Sequence, residues 1–368
     1  MPTMAFGEVN KPISTPPEIA ELLSRDSVVA IGVSGGKDSD AVALAVCAHL
    51  DRIGHSGPRV LVHADLGVVE WKDSLPSCER LAAHLGLELL TVRRQAGDMM
   101  DRWEGRWSNN VTRYNDLSCV TLILPWSTPS MRFCTSELKA AVIASALRKR
   151  FPTEDIIDVT GIRRQESSSR AKMPVWALNK RLTRKNALGV TWNAIIEWSI
   201  EQVFDSIATA GLRLHEAYTT YGASRVSCAF CIMSANKDLH AAVSCADNHD
   251  IYRRMVALEI TSTFAFQGGK WLADIAPQLL APEMFARLET AKALAKARAT
   301  AESELTSNLL FTKGFPTSMP TSGEADLIAS VRTRVSEAVG LTSNFLTGPA
   351  VLQRYDELLE QASLQVAA

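Results

Sequence analysis

The chain has 368 residues, 46% of them apolar, and a formal net charge of −1. That length holds one large domain or two modest ones with ample core, and near-neutrality leaves the whole-molecule field silent about partners. No run approaches the about 18 apolar residues of a membrane span, and the N-terminus lacks the apolar stretch of a leader peptide. Seven cysteines without an export signal point to a reducing, cytoplasmic setting, where they serve as core residues, metal ligands or nucleophiles rather than disulfides. The charge is uneven. Residues 93–185 hold 18 Lys/Arg against 9 Asp/Glu, which points to a polyanionic ligand over the middle of the chain.

Residues 1–26 read as a lead-in, with a short helix over Glu18–Leu23 behind Pro16-Pro17. An apolar strand follows at Val28–Val33, then Ser34-Gly35-Gly36-Lys37-Asp38-Ser39, then a helix from near Asp40. Strand, glycine turn and helix aim free backbone N–H groups at an anion. Lys37 adds a cation, and Ser34 and Ser39 add hydroxyls. The spacing is not that of the G-x-x-x-x-G-K-[ST] loop. The helix carries apolar residues on two faces, which places Cys47 and His49 in the core. A strand at Arg59–Ala64 leads to Asp65, a polar residue where open α/β sheets bind ligands. Cys78 falls on the apolar face of the next helix, Gly86 stops it, and Leu87–Val92 makes a third strand. Alternation on this scale predicts an α/β fold with a doubly wound, mostly parallel sheet.

Residues 96–131 read as irregular. Their aromatic residues, beside Arg102, Arg106 and Arg113, line a nucleotide or nucleic-acid groove or belong to a packed loop. A helix capped by Thr135 or Ser136 runs to Arg150, and a strand lies at 155–160. From Ser167 to Ile196 there are six basic residues and no acid, as in a solvated mobile loop or an anion-binding flap. A helix at 197–210 puts Ile200, Val203, Phe204 and Ile207 on one face. Beyond 250 the chain reads as mainly helical, with a linker at 314–323. The expected organisation is therefore a lead-in at 1–26, an α/β domain at 27–250 and a helical region at 251–368.

Four landmarks carry a resemblance. They are the Ser34–Ser39 loop, Arg132-x-Cys134-Thr135-x-x-Leu138-Lys139, Gly161-x-Arg163-x-x-Glu166-Ser167 and Gly222-x-x-Arg225-x-x-Cys228-x-x-Cys231. Together they resemble the phosphoadenosine phosphosulfate (PAPS) reductase family of the PP-loop ATP pyrophosphatases, with an adenine nucleotide alpha hydrolase-like fold. Within it they look most like the DNA-phosphorothioation sulfurtransferase and phage or mobile-element branch. The resemblance implies that Ser34, Gly35, Gly36, Lys37, Asp38 and Ser39 bind phosphate or pyrophosphate. It places Asp65 near the adenosine and lets Gly161 admit the nucleotide. Arg163 and Arg170 would contact phosphate or sulfate, and Arg132 and Lys139 would face the same pocket. The reductases of this family use a cysteine in a C-terminal tail, whereas here no cysteine follows Cys245.

Cys228-x-x-Cys231 places two sulfurs within reach of one metal. Adding Cys134 and Cys245 gives the four thiolates of a 4Fe–4S cluster, which the resemblance also implies. The alternatives are a zinc held by Cys228, Cys231, Cys245 and either His240 or His249, or reduced core cysteines. Cys119 is then a candidate persulfide carrier.

The expected function is an ATP-dependent, Mg2+-assisted sulfurtransferase-like enzyme. It would release pyrophosphate and adenylylate an acceptor, with Lys37, Ser39 and Arg163 as catalytic groups and a cysteine desulfurase as sulfur donor. The basic 167–196 segment favours nucleic acid as the acceptor, and the C-terminal helices offer an oligomer or partner surface. One alternative is a PAPS or adenylylsulfate reductase or hydrolase releasing sulfite. The other is a non-catalytic nucleotide or nucleic-acid sensor.

Overall fold

The computed structural model describes residues 12–311 and 315–367. Residues 1–11 of the expected lead-in and residue 314 of the expected linker lie outside the described residues. The chain divides into two compact units. One holds the residues up to 99 together with 129–248, and the other holds 100–128 together with 249 onward.

The first unit carries the sheet. Its strands are β1 (Val28–Val33), β2 (Arg59–Asp65), β3 (Glu88–Arg93), β4 (Ile156–Val159), β5 (Trp176–Leu178) and β6 (Gly189–Trp192). Their order is β3-β2-β1-β4-β6-β5. Every neighbouring pair is parallel except β5 with β6, so the doubly wound, mostly parallel sheet is present. β1 is apolar throughout because both its faces are covered. Val29 and Ile31 pack with Val42 and Val46 of α2 (Lys37–Arg52), while Val28 and Ala30 pack with Ala144 and Leu147. α1 (Pro17–Ser24) adds Ile19, Leu22 and Leu23 to the first of these clusters. α3 (Ser74–Leu85) stops at Gly86, whose φ of +64° suits the absence of a side chain.

Several expectations are corrected. α2 begins at Lys37, so Lys37, Asp38 and Ser39 are its first turn. Cys47 and Cys78 are core residues as expected, but His49 is only half-buried, beside Arg52. Phe204 is exposed, while Val203 and Ile207 of the helix Ile200–Thr209 are buried. The basic 167–196 segment supplies β5 and β6, and its Arg170 lines the cleft described below. The helical stretch ending at Arg150 starts at Phe133 without a side-chain cap and passes through a π turn at Ser136–Ala140.

The second unit is helical. α4 (Met99–Asn115) occupies the first part of the expected irregular region 96–131, and residues 116–131 are irregular as expected. Trp103, Trp107, Tyr114 and Trp126 are all buried, so they form core and not a nucleic-acid groove. Trp126 packs edge-on against Trp103 and Phe266, with ring centroids 5.3 and 5.2 Å away. The helices His249–Ser262, Pro282–Glu302, Ser322–Val339 and Gly348–Ala367 follow. Arg332 is fully buried and donates to Tyr114 O and Asn344 O at 2.8 and 2.9 Å. No described helix is long and apolar enough to cross a membrane.

Candidate active site

Two loops of the first unit meet between β1 and β4, where the strand order reverses. Open parallel sheets bind ligands outside the carboxyl ends of their strands at such a point. The loop after β1 runs into α2, and the loop after β4 carries Thr160, Gly161 and Arg163. Together they line a cleft of about 470 Å3.

The first loop is held by its own serine. Ser39 Oγ donates to Gly36 O at 2.7 Å and accepts from Ser34 N at 3.3 Å. Gly35 has φ +70°, and a Cβ there would stand 2.9 Å from Ser74 O. α2 has no side-chain cap, which leaves its positive end facing the cleft. Gly161 lines the cleft and also lets the two loops touch, since a Cβ there would stand 2.5 Å from Asp38 O.

Asp38 organises the cations. Its Oδ1 accepts from Arg163 Nε at 2.6 Å, and its Oδ2 lies 3.3 Å from Lys37 Nζ. Lys37 and Arg163 are both buried. Lys37 Nζ also donates to Ser224 O at 3.3 Å, and Arg163 Nη1 donates to Gln165 Oε1 at 3.0 Å. Arg170, paired with Glu166, lines the cleft, as do Lys139 and Arg225. Five basic groups around one cleft suit a ligand with several phosphate oxygens.

Ser34, Gly36, Lys37, Asp38, Ser39, Lys139, Gly161, Arg163 and Arg170 are therefore brought together. Asp65 and Arg132 do not line the cleft. Side chains alternate along a strand, and on β2 it is Val62 and Ala64 that reach it. Asp65 Oδ1 instead accepts from Gly67 N at 2.7 Å, and its carboxylate lies 3.7 Å from Arg93. Arg132 is exposed at the start of its helical stretch.

Sequence reasoning missed Tyr218. Its hydroxyl accepts from Lys37 N at 3.2 Å and Val226 N at 3.1 Å, which joins the phosphate loop to the segment carrying Cys228 and Cys231. Burial pushes the Tyr218 phenol up, so it stays protonated near neutrality. Asp40 was also missed: it is buried behind the loop, and burial pushes its carboxyl up to about 7.

The Cys228 thiol is pushed up first by burial and then by Cys231, with Glu70 and Cys134 acting in the same sense and Lys139 against them. Cys134, Cys228, Cys231 and Lys139 thus share one neighbourhood. Cys245 is buried and hydrogen-bonds with Tyr221, and His240 is exposed. Among the described residues, no group of three or more His, Cys, Asp or Glu side chains is placed to hold a metal ion. As placed, the four cysteines do not form a cluster cradle. The cleft carboxylates Asp38 and Glu166 are each paired with an arginine, Arg163 and Arg170.

Cys119, the candidate persulfide carrier, does not line the cleft. It belongs to the second unit, is 1% exposed and accepts from Asn110 Nδ2 at 3.6 Å. Burial pushes its thiol up, and a buried, protonated thiol is a poor nucleophile.

A switch-point cleft with a glycine loop at a helix N-terminus and converging cations defines a nucleotide-binding α/β protein of the PP-loop kind. The profile of the phosphoadenosine phosphosulfate reductase domain matches residues 28–234, and the chain belongs to that family. It is similar to an uncharacterized 37.8 kDa protein in the gpa 5′ region of Escherichia phage 186, at 26% identity over 57% of this chain and 68% of the other. Among solved structures it is similar to a PAPS reductase from Candida auris in a phosphate complex. That match has a TM-score of 0.33 and 13% identity, and covers 54% of this chain and 80% of the other. It is also similar to the U34-tRNA thiolase NcsA from Methanococcus maripaludis with its 4Fe–4S cluster. There the TM-score is 0.30 with 12% identity, over 77% of this chain and 76% of the other.

Proposed function

We propose that the protein is an ATP-dependent, sulfurtransferase-like enzyme that cleaves ATP between its α and β phosphates. The observation that carries this reading is the convergence of the Ser34–Ser39 loop, Lys37 and Arg163 on one cleft. The loop N–H groups and Lys37 hold the leaving phosphates, and Arg163 stabilises charge at the α-phosphate. An acceptor oxygen attacks the α-phosphorus, the bond to the bridging oxygen breaks, and pyrophosphate leaves with the electron pair. A sulfur nucleophile then attacks the acceptor carbon, and AMP leaves with the acceptor's former oxygen. Bound with the nucleotide, Mg2+ supplies charge neutralisation on its phosphates. The sulfur comes, in the cytoplasm, as the outer sulfur of a persulfide on a donor protein of the cysteine desulfurase kind. Once it has bonded to the acceptor carbon, a second thiol of the donor attacks the inner sulfur. The S–S bond breaks, and the acceptor leaves as its thiolate with a disulfide left on the donor.

A second reading is favoured by the family's own name. The same cations suit PAPS or adenylylsulfate, with sulfite as product. With Cys119 buried, the attacking thiol then comes from Cys134, Cys231 or a partner.

Pyrophosphate release on addition of ATP tests the first reading. The expected result is release by the unaltered protein and loss in Ser39→Ala and Lys37→Ala, both still folded by circular dichroism. ATP bound without pyrophosphate would favour a sensor, and release of sulfite from PAPS the reductase. Undiminished turnover in both variants would overturn the proposal.

A further inference from the structure

A second cavity, of about 450 Å3, adjoins the cleft, and Ile143 and Thr160 line both. Asp158 and Thr160 are two apart on one chain direction, so their side chains leave the same face. In register, Asp158 lies between Ala30 of β1 and Thr191 of β6. Around it that face is apolar, with Val28, Ala30 and Ile156 packed against Ala144 and Leu147. The helix lines the cavity with two small residues, Ala140 and Ala144, which leaves room above the sheet.

Asp158 is out of keeping with such a face. Its Oδ2 accepts from Asn179 Nδ2 at 3.2 Å, that amide lies 3.1 Å from Thr191 Oγ1, and Thr191 also hydrogen-bonds the Asp158 carboxyl. Among the described residues no cation pairs with Asp158, and burial pushes its carboxyl up to about 7. A carboxyl in an apolar sheet face without a counter-charge costs stability, which packing alone does not explain. Lys180 and Arg181 line the same cavity, are exposed, and form no ion pair among the described residues. Leu178, 51% exposed, adds an apolar wall.

We propose that this cavity is the acceptor subsite and takes one nucleotide unit, with Asp158 accepting from base N–H groups, Leu178 against the base and Lys180 and Arg181 at its phosphate. Carboxylates read amino groups of bases, and basic side chains neutralise phosphate. The shared Thr160 places such an acceptor beside the nucleotide cleft, and the assignment rests on the adenylyl-transfer reading above. The unit comes from a nucleic-acid strand or from a free nucleotide.

Binding of fluorescein-labelled single-stranded RNA and DNA hexamers to the full chain, read by anisotropy, tests this beside calorimetry with CMP. The variants are Lys180→Glu/Arg181→Glu and Asp158→Asn, with ATP affinity measured on each. The charge reversal is expected to weaken hexamer binding at least tenfold and the Asn variant at least threefold, with ATP affinity unchanged within twofold. Hexamer binding far tighter than CMP assigns a strand, and CMP binding of equal strength with the same sensitivities assigns a free nucleotide. If Asp158→Asn fails to fold, the exposed pair still decides. ATP binding with no hexamer or CMP binding, or with binding indifferent to the substitutions, overturns the subsite and leaves the cleft reading standing. Absence of ATP binding in the unaltered protein overturns that reading instead.

Discussion

Arg163 Nε stands 2.6 Å from Asp38 Oδ1 across the point where the sheet reverses its winding. One charge-assisted hydrogen bond thereby ties the loop after β4 to the first turn of α2. Asp38 also pairs with Lys37, so the two ends of the clamp are not equivalent. Removing Arg163 leaves Asp38 with a cation, whereas removing Asp38 leaves two buried cations without theirs. Breaking a buried pair costs about 3–5 kcal/mol. Arg163→Ala is expected near the lower end and Asp38→Ala near or above the upper. Urea unfolding of both variants checks the order, and equal losses would show that the clamp does not act this way.

Tyr218 supplies the second tie. Tyr218→Phe leaves Lys37 N and Val226 N without their acceptor, and an orphaned buried donor costs about 1–3 kcal/mol. A bound phosphate oxygen can replace the hydroxyl at Lys37 N. Pyrophosphate is therefore expected to raise the melting temperature of the variant more than that of the unaltered protein. An equal or smaller rise would mean that Lys37 N does not face the ligand.

Much of this site was readable because its signals are local. The apolar run at β1, the paired glycines and the helix behind them sit within 25 residues of chain, and strand, loop and helix all formed there. Tyr218 was not readable, because its hydroxyl meets a backbone amide 181 positions away. α4 carries apolar residues at helical spacing, with Met100, Trp103, Trp107 and Tyr114 on one face. Arginines and acids between them mimicked a polar, aromatic-lined loop. β5 spans three residues inside a basic stretch, too short for a period of two to register. Asp65 was misplaced by treating the end of a strand as a single location, when alternation sends Ala64 and Asp65 to opposite faces.

The cysteines separate by access. Cys134, Cys228 and Cys231 are half-buried, while Cys47, Cys78, Cys119 and Cys245 are buried. Burial and Cys231 push the Cys228 thiol up, so it reacts more slowly than its exposure alone suggests. Brief iodoacetamide treatment of the native protein at pH 8 is expected to label Cys134 and Cys231 first, Cys228 next, and the buried four only on unfolding. Peptide mass spectrometry reads the order. Early labelling of Cys119 would restore it as a candidate sulfur carrier.

Two buried carboxyls contribute to the pH dependence of stability. Burial raises Asp40 from an ordinary 3.8 to about 7, and Glu259, which accepts from Phe266, Leu272 and Ala273 N, from 4.5 to about 7. Between these limits the folded protein keeps protons that the unfolded chain has released. These two groups therefore contribute stability that falls as pH rises from about 4 to about 7 and levels off above. Asp40→Asn removes one titrating group without removing its volume. The variant is expected to show a flatter profile and to gain on the order of a few kcal/mol over the unaltered protein at pH 8, with little difference at pH 4. Glu259→Gln gains less, because the ionised carboxylate is the better acceptor for its three backbone N–H groups. Urea unfolding at pH 4, 6 and 8 distinguishes the two. A loss for Asp40→Asn at pH 8 would mean that the carboxylate, and not the neutral acid, is the form the phosphate loop is built around.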